Sequence, residues 1–138
     1  MERLLYVSQS KINEAEASSV VARIVATSIE RNKEHNLTGA LIFTGTHFAQ
    51  VLEGSQKNLD DFMVKIKNNP SHGSMRVIDR SPITERQFGH WSMAYQGPSQ
   101  FVSRHVTQLL QDTSQSERQR AAAWLTELAR EFVTYEGR

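Results

Sequence analysis

The sequence of 138 residues contains no cysteine, which excludes disulfide frameworks, thiolate metal sites and thiol catalysis. It carries no excess of one charge, since 16 Lys and Arg face 15 Asp and Glu and leave a formal +1. With the two signs interspersed, this argues against a nucleic-acid binder that works by massed basic charge and against a polybasic membrane anchor. No apolar run approaches a bilayer span, and the opening MERLLYVSQS lacks the apolar stretch of a signal peptide. Repeats and low-complexity segments are also missing. The expectation is a cytoplasmic domain without membrane contact, long enough to bury one ordinary core.

The apolar residues that are present fall into short, well-punctuated segments. Arg3–Ser8 reads as a buried strand. Asn13 and Glu16 suit a helix start, and Val20, Val21, Ile24, Val25, Ser28 and Ile29 recur at helical spacing to about Asn32. Leu37–Phe43 and His47–Leu52, joined by Thr44-Gly45-Thr46, predict a hairpin. Leu59, Phe62, Met63 and Ile66 mark a second helix that Asn68-Asn69-Pro70 ends. Arg76–Asp79 and Trp91–Tyr95 are strand candidates, with Ser81–Arg86 between them read as a turn entering a short helix. The order β-α-β-β-α-β-β predicts an α+β fold, a ferredoxin-like mixed sheet with two helices on one face, over residues 1–97.

Residues 98–138 predict a C-terminal helical hairpin. Val102, Val106, Leu109 and Leu110 form one stripe, Asp112–Ser116 interrupts it, and Ser114 with Glu117 suits a capping box. Trp124, Leu125, Leu128, Ala129 and Phe132 form the second stripe. Too small to stand alone, this pair is expected to dock on the free face of the sheet, with a homo-oligomer seam as the alternative.

The informative residues are polar ones at interior positions. Side chains alternate along a strand, so Gln50 shares a face with Phe48 and Leu52, and Tyr6 with Leu4 and Ser8. A buried carboxamide must find partners or cost about 1–3 kcal/mol. On the first helix Ile24, Ser28 and Asn32 lie at i, i+4 and i+8, a row drifting by about 40° per step that begins apolar and ends polar. Singly, each has an ordinary explanation: a backbone partner for Tyr6 or Gln50, a helix C-cap for Asn32. Together they suggest a planar polar ligand between helices and sheet. His47 falls on the opposite strand face from Gln50, towards solvent, while His90 and His105 have no evident partner and metal-ligand spacing is missing. With no carboxylate pair and no phosphate-cradling glycine loop, the residues alone imply a ligand-binding α+β domain.

Arg3-Leu4-Leu5-Tyr6-Val7-Ser8, Arg31-Asn32 with Leu37-Thr38-Gly39, Phe48-Ala49-Gln50-Val51-Leu52-Glu53-Gly54 and Trp91-Ser92-Met93 occur in an order and spacing that resemble a BLUF domain, a sensor of blue light using FAD. The resemblance implies a flavin ring between the two helices. It makes Tyr6 the photoactive tyrosine, Gln50 the switching glutamine and Asn32 a partner of the ring's polar edge. It puts Ile24 and Ser28 on the pocket face of the first helix, and Lys65, Asn69 and His72 near the ribityl and phosphate side. It assigns Trp91 and Met93 to the last strand, where contacts change on signalling. Arg31 stands where many members have asparagine or histidine, Asn69 replaces an aspartate and Leu37 an isoleucine.

What the resemblance implies for function is a photoreceptor rather than an enzyme. Light drives electron and proton transfer from Tyr6 through Gln50, and rearranged hydrogen bonds signal through the last strand and C-terminal helices to a protein partner. FAD is the implied cofactor, with FMN or riboflavin also able to fill the ring site. A ferredoxin-like RNA-binding module and a small flavin-dependent oxidoreductase are the alternatives, the first weakened because base-stacking aromatics are missing from the strands.

Overall fold

Along the first strand, β1 (Glu2–Ser10), Leu4, Tyr6 and Ser8 alternate with Leu5 and Val7, and all five are buried. A strand buried on both sides needs cover on both sides of its sheet. The structure, a computed structural model that describes residues 1–111 and 113–136, provides it. The remaining strands are β2 (Thr38–Phe43), β3 (His47–Gly54), β4 (His72–Pro82) and β5 (Trp91–Gln96), arranged in the order β4-β1-β3-β2-β5. Neighbours are antiparallel except β2 and β5, which run parallel. The fold is thus the expected ferredoxin-like α+β arrangement, with β5 added beyond β2.

Helices α1 (Ala17–Glu34) and α2 (Gln56–Lys67) cover one face, where Val21, Leu59, Phe62 and Met63 pack with Leu4, Tyr6, Leu41, Phe48 and Leu52. Helices α3 (Gln100–Leu109) and α4 (Gln115–Glu136) cover the other, where Val102, Val106, Leu125 and Ala129 pack with Leu5, Val7, Ile42 and Val51. Trp124, Leu128 and Phe132 pack against that second cluster, so the C-terminal helices dock on their own sheet. Neither sheet face is left open for stacking bases. Asp112, within the expected interruption, and residues 137 and 138 of the expected extension lie outside the described residues.

Local chemistry accounts for where the elements begin and end. Asn13 accepts from the Ala15 N–H and caps a single 3₁₀ turn, Glu14–Glu16, that leads into α1. The helix passes beyond Asn32 to Glu34, and Asn36 takes the left-handed conformation (φ 54°) that ends it. Asn32 therefore lies in the last turn of the helix and is not its cap. Ser55 caps α2 by accepting from Asn58 N–H, and Ser99 caps α3 in the same way from Val102 N–H.

Two expectations fail here. The Ser81–Arg86 segment starts no helix; β4 runs to Pro82, and the Gln87 and Phe88 N–H groups donate to the Glu53 carboxylate rather than to carbonyls one turn back. His47 is half-buried rather than solvated, because α3 docks over it. Its Nδ1 pairs with Thr46 Oγ1 at 2.8 Å and its Nε2 with Thr107 Oγ1 at 3.4 Å.

The register breaks twice on the β1–β4 ladder, between Leu5 and Tyr6 and between Val7 and Gln9, and once on the β2–β5 ladder. On the β1–β4 ladder Leu5 faces Asp79 and Tyr6 faces Val77, which leaves Ile78 as an extra residue. On the β2–β5 ladder Leu41 faces Met93 and Ile42 faces Tyr95, which leaves Ala94 extra. Both extra residues turn into the α3/α4 core. Such bulges sharpen the local twist and re-aim the neighbouring side chains.

Candidate functional site

Gln50, in the middle of β3, is 4% exposed and has a partner at each end of its carboxamide. Its Nε2 donates to Tyr6 Oη, and its Oε1 accepts from Trp91 Nε1 at 2.8 Å. Tyr6 lies directly opposite Gln50 on the neighbouring strand, so pairing geometry alone brings phenol and amide together. Trp91 arrives from β5, beyond β2. Burial pushes the Tyr6 phenol well above its ordinary pKa, and the Gln50 bond offsets only part of that rise. The phenol therefore keeps its proton throughout the neutral range.

These three side chains form the floor of a cavity of about 330 Å³ between the sheet and α1/α2, within the size range of small-molecule sites. Ile24, Ser28 and Arg31 of α1 line it, with Phe62 and Ile66 of α2, and Asn69 and His72 from the entry to β4. Arg23 and Thr27 join from α1, and no acidic side chain lines it among the described residues. The mouth thus favours an anionic group, while the floor is apolar with a few convergent polar atoms.

Asn32 lies in the next stretch of the same interface. It is 1% exposed, and neither its Oδ1 nor its Nδ2 has a partner. It borders one hollow with Arg31, Phe62 and Lys65, and another with Trp91 and His90. A buried amide with both ends unpaired costs about 1–3 kcal/mol per group, so such residues point to a missing partner.

His72 faces Tyr6 from the other side. Its Nδ1 shares a 2.7 Å hydrogen bond with Ser8 Oγ, its ring packs on Phe48 at 4.4 Å, and it meets Tyr6 edge-on at 6.2 Å. Burial lowers its pKa to about 4, so the imidazole is neutral at neutral pH.

Of the residues singled out in the sequence, Tyr6, Gln50, Trp91, Ile24, Ser28, Arg31, Asn69 and His72 border one cavity. Lys65 is set back, in the hollow shared with Asn32. Met93 does not line the cavity; it packs half-buried beside the same apolar cluster, opposite Leu41. Asn69 is engaged locally, its Oδ1 accepting from Ser71 N–H at 2.9 Å. Sequence reasoning missed the Ser8–His72 pair and the buried carboxylate of Glu53. For Glu53 there was a signal, an acid continuing the apolar row Ala49 and Val51 on the second face of β3.

The family model for sensors of blue-light using FAD, BLUF, matches residues 1–94. Photoactivated adenylate cyclase subunit beta of Euglena gracilis is 32% identical over 93 residues, which cover 67% of this chain and 11% of that protein. The chain thus spans about a tenth of the length of the curated relatives it matches. Among solved structures, the dark state of BlrB, a BLUF protein, superimposes with a TM-score of 0.73 at 27% identity, covering 94% of this chain and 95% of that one. A bacterial light-regulated adenylyl cyclase matches with a TM-score of 0.61 at 28% identity, over 95% of this chain and 39% of that one. The matched residues run from β1 into β5 and include Tyr6, Gln50 and Trp91, and the chain belongs to the BLUF family, the sensors of blue-light using FAD.

Proposed function

We propose that this chain is a blue-light photoreceptor in which Tyr6 and Gln50 are the photoactive pair, and that its output is a changed contact with a protein partner. The observation that carries the reading is the buried hydrogen-bonded row Tyr6–Gln50–Trp91 along the floor of the cavity. The fit to a flavin rests on Asn32, whose unpaired buried oxygen and nitrogen match the alternating acceptors and donors of the ring's polar edge. Ser28 and Ile24 would line the ring, and Arg31, Lys65, Asn69 and His72 would attend the ribityl and phosphate side. FAD is the flavin proposed; FMN or riboflavin would use the same ring contacts.

When bound, the flavin supplies absorption in the blue and an excited state that accepts an electron. Tyr6 would be the donor. An oxidised phenol is a strong acid, and because Gln50 gives Oη its Nε2–H end, the Oη proton can pass to the carboxamide only once the amide turns its Oε1 towards it. Phe48, Leu41 and Ile24 keep water from that proton, so it returns to the pair and not to solvent. The carboxamide ends rotated or tautomerised. It can present either end to the same neighbours, which makes one residue a two-state element.

Rotation has a consequence at β5. It would face Nε2 towards Trp91 Nε1, two donors that cannot bond, so the indole must give up its contact. That strand runs through Gly97 and Pro98 into α3, the route proposed for the signal. The test is the absorption spectrum of purified protein before and after blue light. A flavin band that shifts reversibly to the red supports the reading, and a protein that takes up no flavin on reconstitution contradicts it.

A further inference from the structure

We propose that Glu53 is a positioning residue that, from the sheet face opposite the cavity, holds Trp91 against Gln50. Glu53 is completely buried near the end of β3. Its cross-strand neighbours are Arg3 on β1 and Thr38 on β2. Arg3 donates to Oε2 through Nε at 3.1 Å and Nη2 at 2.7 Å, and Thr38 Oγ1 donates to Oε1 at 3.1 Å. The other lone pairs accept the backbone N–H groups of Gln87, at 2.8 Å to Oε2, and Phe88, at 3.0 Å to Oε1.

A carboxylate removed from water is tolerated only when its charge is matched and its lone pairs are filled. Arg3 does the first; the connection between β4 and β5 completes the second. That connection is otherwise irregular, and its N–H groups have no ladder to join. Arg86 tightens the same junction, donating through Nη1 to Thr38 Oγ1 and Glu53 O, and through Nη2 to Asn36 O. Phe88 is then seated in the α3/α4 core, Gly39 N–H donates to His90 O at 3.2 Å, and β5 begins with Trp91.

The carboxylate therefore fixes the chain three residues before Trp91 to the strand that carries Gln50, three residues before Glu53. Donor and acceptor of the indole–amide bond are both referenced to β3. Without that tether, the placement of Trp91 depends on Arg86, on the packing of Phe88 and on the short β2–β5 ladder, which is itself interrupted at Ala94. The inference takes its importance for signalling from the photoreceptor reading, but the placement of Trp91 is read in the dark and does not need that reading to be right.

The experiment uses the protein as purified, in the dark, uniformly labelled with ¹⁵N. Of the chain's two tryptophans, Trp91 is assigned by its loss in Trp91→Phe. Glu53→Gln keeps the size of the side chain but sets an NH2 donor among the converging donors. The expected result is indole N–H exchange at Trp91 that is roughly tenfold faster than in the wild type, the scale of one lost buried hydrogen bond. Backbone amides of Leu5 and Val7 on β1 are expected to keep their rates. Unchanged exchange at Trp91 overturns the inference, as does equal acceleration of the β1 amides, which would signify only a weaker fold. Should Glu53→Gln not fold, Glu53→Asp keeps the charge that faces Arg3 but draws the carboxylate back from the Gln87 and Phe88 N–H groups, and the same two outcomes decide. A wild-type protein without any light response would instead count against the photoreceptor reading and leave this result standing.

Discussion

Trp91 reaches Gln50 across a strand that lies between them. The indole of β5 donates to the carboxamide of β3 at 2.8 Å, while β2 separates the two, with Leu41 paired to Gln50 on one side and to Met93 on the other. A bond that skips a strand makes the last strand responsive to one amide. Main-chain pairing holds β5 to β2, and the side-chain bond adds a contact that reversal of the amide removes.

Tyr6→Phe tests the donor role. The ring stays and keeps its packing, but Gln50 Nε2 loses its acceptor, at a cost of about 1–3 kcal/mol. The variant is expected to bind flavin and to give no red-shifted state under blue light in difference spectroscopy. A normal shift would remove Tyr6 from the photochemistry.

Asn32→Leu separates stability from binding. Replacing an unpaired buried amide with an apolar group of similar size should stabilise the flavin-free protein by about 1–2 kcal/mol in urea unfolding. The same change should weaken flavin binding by roughly tenfold or more, measured by quenching of flavin fluorescence, since each lost ring contact has the strength of a buried hydrogen bond. Unaltered flavin affinity would show that the amide faces something else.

His72 gives the fold a specific acid sensitivity. Folded, the imidazole has its pKa lowered to about 4 from 6.5, so between those values the unfolded chain binds the proton and the native state does not. Stability must therefore fall as pH drops through that window, by roughly 2–3 kcal/mol, and level off below it. Urea unfolding from pH 7 to pH 4 should show this part of the slope in the wild type and not in His72→Asn. Equal slopes would mean that the ring is protonated in the folded protein.

Gly39→Ala tests the crossing of β2 between β3 and β5. Gly39 has φ +149°, and a Cβ there would lie 2.0 Å from Val51 O, a main-chain atom that cannot move aside alone. A loss of about 3 kcal/mol in urea unfolding is expected. A neutral substitution would contradict the backbone path at that point.

The part of this site that was legible in the chain is the part governed by strand alternation. A period of two places Tyr6 and Gln50 in the same layer as Phe48 and Leu52, and the structure pairs them directly. Alternation cannot say which strands become neighbours, so the bond from Trp91 to Gln50 was out of reach. Glu53 was opaque for a related reason. Its partners come from β1, β2 and the β4–β5 connection, and only their meeting explains why an acid can end an apolar row. Local signals misled at Ser81–Arg86, after which the Gln87 and Phe88 N–H groups donate to that acid rather than to carbonyls one turn back. At Asn32 they left two readings open until Asn36 was seen to end the helix.

The most direct test of the central claim compares light-minus-dark absorption spectra of flavin-loaded wild type and Gln50→Leu. The wild type should show a red shift that decays in the dark. Gln50→Leu should retain flavin and fold yet show no shift, because no carboxamide remains to change its bonds. A full, reversible shift in Gln50→Leu would contradict the account.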